Sequence, residues 1–238
     1  MISALNDATT PRQRWRLTFA RAAGATETLM PGQPALEAFA ARLASAGIVI
    51  ARSGQRPRFA LAAPLPLDMS GERELADVFL TARHPVDAVR EAIAGSLPPG
   101  HRLIELHDVW LGEAALASQL EAADYQITLA PSEGTPAALT ASCQRLLEAD
   151  SVPRARAKGG RIVTYDLRPL LADIAVHVGG STTTLHIRTR FSPERGAGRP
   201  DEVLAVLAED AGLALVPQAT SRVRLWLASE LRVDIASG

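Results

Sequence analysis

Apolar and polar residues alternate with period two near the start of the chain, where Trp15, Leu17 and Phe19 interleave with Arg14, Arg16 and Thr18. That spacing predicts a strand with one buried face. After a Gly/Pro-rich stretch from Gly24 to Pro34 the period changes. Leu36, Phe39, Ala40 and Leu43 recur at helical spacing, in a helix that opens at Gln33-Pro34 and stops at Gly47. Ile48 to Ile50 and Phe59 to Leu67 read as extended chain, split by a basic turn. Pro64 and Pro66 put the end of that strand at a sheet edge or outside the sheet, because neither has a ladder donor. Leu75 to Leu80 is a further strand. Val86, Val89, Ile93 and Leu97 mark one face of a helix begun at His84-Pro85 and ended by Pro98-Pro99-Gly100, and Leu103 to Leu111 reads as strand.

The order then recurs. Tyr125, Ile127 and Leu129 stand where Trp15, Leu17 and Phe19 stood, and Thr135-Pro136 opens a helix with Leu139, Cys143, Leu146 and Leu147 inward. Val152 to Gly160 is a second basic turn, followed by a strand from Arg161 to Tyr165. A hairpin from about Ile174 to Phe191 turns at Gly179-Gly180, Arg199-Pro200 opens a helix, and Arg222 to Leu227 is the last strand. The pattern predicts an α+β fold of two ferredoxin-like (βαββαβ) halves made by internal duplication, antiparallel sheets with helices on one face. The expected limits are a tail at 1–13, a first half at 14–111, a helical linker at 112–123, a second half at 124–228 and a tail at 229–238.

Composition narrows the chemistry. The 238 residues are 47% apolar, enough for a sizeable core, and 25 basic residues nearly balance 26 acidic ones. Any affinity for nucleic acid therefore comes from a local patch. One cysteine, Cys143, rules out an internal disulfide or a Cys-ligated cluster in these residues, and its place on an apolar helix face makes it packing. The expected cofactor set is empty. The five histidines, His84, His101, His107, His177 and His186, show no metal-ligand spacing. No signal-peptide core and no long apolar run is present, so the expected location is cytoplasmic and no membrane partner is expected.

The candidate binding residues are cationic. Arg52, Arg56 and Arg58 lie in the first basic turn, and Arg154, Arg156, Lys158 and Arg161 in the second. Two such turns in equivalent places of two halves would make one groove for a polyanion. Arg188 and Arg190 share a polar hairpin face with Thr184 and His186, beside Arg222, Arg224 and Trp226 of the last strand. Trp226 either stacks on bases or covers the interface between the halves. For catalysis the candidates are Asp77 and Asp166, each at or in a strand, where pairing with an arginine is the competing reading.

Several segments resemble the radical-SAM-linked family of unknown function. They are Arg58-Phe-Ala-Leu-Ala-Ala-Pro-Leu-Pro-Leu67, Glu74-Leu-Ala-Asp-Val-Phe-Leu80, Leu97-Pro-Pro-Gly100, Asp166-Leu-Arg-Pro-Leu170 and Arg199-Pro-Asp-Glu-Val-Leu204. The resemblance runs over about residues 14 to 228. It implies an accessory module that works with a radical-SAM protein and presents RNA or a ribosome-related substrate. Where the family has Ser-His-Leu-Asp this chain has Met30-Pro-Gly-Gln33, and where it has Gly-Phe-Asn-Pro-His-Pro this chain has Gly54-Gln-Arg-Pro57. Any ligand held by those histidines or that aspartate has no counterpart here. Three readings follow: a non-catalytic module for RNA or another polyanion, a stand-alone RNA- or nucleotide-modifying enzyme with a catalytic Asp in the cleft between the halves, and a protein-binding scaffold.

Overall fold

A computed structural model describes residues 10–130, 135–158, 160–179 and 182–231, with the backbone alone at 135, 157 and 158. The fold is mixed α+β, and the chain divides into two compact units, residues 1–120 and 121–238.

In the first unit β1 (Gln13–Arg21) is followed by α1 (Pro34–Ser45), a short hairpin of β2 (Arg52–Ser53) and β3 (Arg56–Pro57), β4 (Phe59–Leu61), β5 (Ser70–Leu80), α2 (Val86–Ser96) and β6 (His101–Val109). The strands lie side by side in the order β4-β5-β1-β6, and each neighbouring pair is antiparallel. Register sets Trp15 opposite Val78 and Leu17 opposite Ala76. Those side chains share one core with Leu36, Phe39 and Leu43 of α1 and Val89 and Ile93 of α2. Burying each large apolar side chain contributes about 1.5–3 kcal/mol, which makes this face the main source of the unit's stability. Pro34 takes the first helical position of α1, and Gly47, at φ 80°, supplies the left-handed residue that ends it.

Four local features differ from the sequence pattern. Arg14, Arg16 and Thr18 were expected on an open face, yet all three are buried with Asp77. Only Phe59–Leu61 of the segment 59–67 is strand, since the two prolines cannot continue a ladder. The region 112–123 contains a 3-10 turn at Leu116–Gln119 that runs straight into the next strand at Leu120, in place of a helical linker. Val152 to Gly160 is strand for much of its length rather than turn.

In the second unit β7 (Leu120–Leu129) leads through α3 (Thr135–Glu148) to a hairpin of β8 (Pro153–Lys158) and β9 (Arg161–Asp166), then β10 (Leu171–Gly179), β11 (Thr182–Ser192), the two-residue β12 (Gly196–Ala197), α4 (Pro200–Ala211) and β13 (Pro217–Leu227). Four strands are adjacent in the order β10-β11-β7-β13, with β12 on β11. Tyr125 stands opposite Ile187, the same arrangement as Trp15 opposite Val78. Leu139, Cys143 and Leu146 of α3 and Val203 and Leu207 of α4 are buried, as are Tyr125, Ile127, Leu185 and Ile187. The β8–β9 hairpin is a separate two-stranded sheet. Gly180, in the expected turn between β10 and β11, lies outside the described residues. Among the described residues no helix is long and apolar enough to cross a membrane.

Candidate functional site

Arg156, from the densest basic run of the sequence, lines a cleft in the second unit. The cleft has a volume of about 620 Å³, and Arg156, Tyr165, Asp166, Glu194, Arg195 and Gly196 are among its lining residues. Its walls are the β8–β9 hairpin and the turn that joins β11 to β12. The Arg156 guanidinium lies over the Tyr165 ring, 4.8 Å from its centre. That cation–π contact fixes a charge and an aromatic plane side by side. The buried Tyr165 hydroxyl has no hydrogen-bond partner among the described residues. Gly196 has φ 89°, and a Cβ built there would stand 3.5 Å from Arg156 Nη2, so the guanidinium reaches across to β12.

Asp166 sits at the foot of this cleft and is engaged by the backbone. Its Oδ1 accepts from the N–H groups of Val152 at 2.8 Å and Arg168 at 3.0 Å. The Val152 hydrogen bond, followed by that of Arg168, holds the carboxyl below its usual value. Such a group stays ionised through the neutral range and serves the hairpin as a clasp.

Asp77 is also committed. It is fully buried, accepting from Arg14 Nε at 2.9 Å and Arg16 Nε at 2.9 Å. Arg14 in turn donates to the carbonyls of Glu113 at 2.7 Å and Ala114 at 2.9 Å. This cluster explains why the polar side of β1 is buried: two guanidinium groups share one carboxylate, and chain from the end of the unit satisfies the remaining donors.

The other predicted cations are dispersed. Arg52 pairs with Glu37 at 2.8 Å, and Arg154 with Glu209 at 2.8 Å. Arg58 lies over the Phe79 ring at 4.5 Å. Arg188 pairs with Asp124 at 2.6 Å, and Arg190 points to the carbonyls of Pro169 and Leu171 at 3.4 and 3.5 Å. Arg56 and Arg161 are exposed, and no ion pair of theirs is found among the described residues. The Lys158 side chain lies outside the described residues. Within the second unit the cleft therefore gathers Arg156 from the predicted set and adds Arg195 and Tyr165, which the sequence pattern did not mark. Arg195 lies two residues after Pro193 in the turn between β11 and β12, where no periodicity could flag it.

The predicted polar face of β11 is present. His186 and His177 have ring centres 4.4 Å apart, and burial, then the neighbouring imidazole, lowers the His186 pKa from its usual value. Trp226 is only 7% exposed; its Nε1 donates to Asp124 Oδ2 at 2.7 Å, and Arg224 lies 3.7 Å from its ring centre. It is a packed residue, not an open stacking platform. Among the described residues no group of three or more His, Cys, Asp or Glu side chains could hold a metal ion. Burial raises the Cys143 thiol to about 11, which makes it an inert packing group.

In the first unit, the segment richest in family-like residues is tied to Arg21, which donates to the carbonyls of Leu65 at 3.2 Å, Pro66, and Met69 at 2.8 Å. The loop after β4 thus closes over a small pocket of about 20 Å³ whose lining includes Phe19, Arg21, Met30, Leu65, Glu74 and His101. That is room for one water.

These features define a mixed α+β protein whose open polar cleft sets two arginines and a tyrosine beside two carboxylates, with both candidate aspartates held in structural hydrogen bonds. The chain belongs to the family described as "Uncharacterized protein conserved in bacteria (DUF2344)", which it matches over residues 54–200, more than half its length. No curated protein matches it. Solved structures similar to it include that of a Cbf5-Nop10-Gar1 complex, at 12% identity and TM-score 0.46, covering 89% of this chain and 48% of that one. An unknown protein from Galdieria sulphuraria is 14% identical with TM-score 0.26, covering 86% of this chain and 96% of that one. A putative glycine cleavage system transcriptional repressor is 7% identical with TM-score 0.24, covering 88% and 98%.

Proposed function

We propose that this protein is a non-catalytic cytoplasmic module that binds RNA or a related polyanion through its arginine-bearing hairpins and works with a radical-SAM protein. The observation that carries the reading is the β8–β9 hairpin with its cleft, where Arg156, Arg195 and Tyr165, beside Asp166 and Glu194, line an open volume of about 620 Å³. Guanidinium groups suit phosphate oxygens, and an aromatic ring suits a base. Arg56 and Arg161 supply exposed charge on the two hairpins, with Arg58, Lys158 and Arg190 as further contacts. Arg52, Arg154 and Arg188 reach phosphate only by giving up their carboxylates. The partner half of the proposal rests on the family resemblance.

The fold proposal that goes with it is a duplication, with ferredoxin-like halves at 14–111 and 124–228. What supports it is the equivalent strand order within each unit and the matched register at Trp15 and Tyr125. A stand-alone enzyme built on Asp77 or Asp166 gains no support, since both carboxylates are already committed. A scaffold for another protein is the second reading, favoured by Trp110, which is 77% exposed after β6.

A salt titration of binding to mixed cellular RNA tests the first reading. The expected result is affinity that falls steeply as salt rises; absence of binding even at low salt removes RNA. Pull-down with a co-expressed radical-SAM protein tests the partner, and capture that survives nuclease favours direct protein contact.

A further inference from the structure

We infer that β10 is the pairing edge of a two-fold homodimer, in which the β10 strands of two copies of this chain run antiparallel and join their sheets. That edge is independent of the RNA reading above. In the order β10-β11-β7-β13 the strand β10 stands at the end, and no strand meets its outer side among the described residues. A long uncharged edge presents unpaired N–H and C=O groups to any other chain, and proteins blunt such edges with charge or proline. The first unit does so: its edge strand β6 carries Arg102, Glu105, His107 and Asp108. β10 does not. Its nine residues, Leu171–Gly179, contain no proline and one formal charge, Asp173.

Past an irregularity at Ala172, residues 173–179 pair with β11 in unbroken register. Alternation puts Asp173, Ala175 and His177 on one face and Ile174, Val176 and Val178 on the other. Asp173 and His177 are exposed, and Val178 is 60% exposed. The Asp173 side chain has no hydrogen bond or ion pair among the described residues; Arg188, opposite it on β11, is held by Asp124 at 2.6 and 2.9 Å. The segment is complementary to itself. With a two-fold axis at Ala175, Asp173 stands opposite the partner's His177 on one face, and Ile174 opposite the partner's Val176 on the other. The two Ala175 side chains meet at the axis and are small enough for that approach. Directly opposed Cβ atoms lie about 4.5–5.5 Å apart, so the carboxylate accepts from an imidazole N–H, which histidine keeps in both protonation states. Moving the axis one residue either way sets Asp173 against Ala175 or Gly179 and loses both polar pairs. Charge and apolar pattern together select one register and, as occupant, a second copy of this chain.

Sedimentation velocity on the full chain, freed of nucleic acid by nuclease and high salt, tests this between about 1 and about 100 µM. The expected result is a species of twice the chain mass whose share rises with concentration, with slower amide exchange in β10 as it forms. Ala175→Glu brings two carboxylates together at the axis and should weaken the dimer at least about tenfold. His177→Asp opposes carboxylates at two places and should weaken it about tenfold; adding Asp173→Asn should restore most of that loss. His107→Asp, on the edge strand of the first unit, should change it less than about twofold. Circular dichroism and thermal melting confirm that each variant is folded. A parent that stays monomeric would overturn the inference, as would a dimer that Ala175→Glu and His177→Asp leave intact. Neither result bears on the RNA reading, whose own test is the salt titration.

Discussion

At the scale of single residues, the two aspartates show how a side chain that looks catalytic can be structural. Asp77 is fully buried between Arg14 and Arg16. Removing it leaves Arg14 buried without a counter-ion and Arg16 with only Glu113, at 3.4 Å, a loss of about 3–5 kcal/mol by comparison with other broken buried pairs. Asp77→Ala should therefore show a large drop in urea-unfolding free energy; a variant as stable as the parent would show that the carboxylate does not hold the sheet. Asp166 makes a smaller case with a pH signature. Its carboxyl is held below its usual value by the Val152 and Arg168 N–H groups, so its contribution is present above the unfolded value of about 3.9 and is lost as pH falls through the lowered folded value. Asp166→Ala should cost about 1–2 kcal/mol at neutral pH, and the difference from the parent should vanish in strong acid. In the sequence both aspartates were visible as carboxylates in or beside strands, and arginine pairing was the competing reading. Which arginines would meet Asp77 was not visible, because Arg14 and Arg16 alternate with apolar neighbours as solvent-facing residues do.

At the scale of elements, helices were the most legible part of the chain. Proline at the first helical position, glycine at the end and apolar residues at helical spacing all mark α1, and each is found in its place. The β8–β9 hairpin was legible only in part. Arg161 to Thr164 are all exposed, so no buried face imposes an alternation on the sequence, and charge with glycine read as turn. A two-stranded hairpin is marginal alone, and among the described residues its tie to α4 is the Arg154–Glu209 pair. Glu209→Gln should speed amide exchange in β8 and β9 while leaving global stability nearly unchanged; unchanged exchange would show that the pair does not anchor the hairpin. The Arg154 hydrogen bond holds the Glu209 carboxyl below its usual value. The tie is thus complete above about pH 4.3 and weakens as pH falls through the lowered value.

At the scale of the whole molecule, a mixed α+β fold was legible because stretches of period two and of helical period alternate along the chain. The site was less so. A near-balanced charge of 25 basic against 26 acidic residues conceals how many arginines are spent on internal carboxylates, and pairings such as Arg52–Glu37 and Arg188–Asp124 join residues far apart in the chain. What remains for a ligand is a local set led by Arg156 and Arg161. The most direct measurement is the dependence of single-stranded RNA affinity on salt, for the parent and for a variant with Arg156→Ala and Arg161→Ala together. The account predicts a slope of log affinity against log salt that is shallower by about 1.4 in the variant, two phosphate contacts at about 0.7 each. An unchanged slope, or a parent that binds no RNA at low salt, would contradict it.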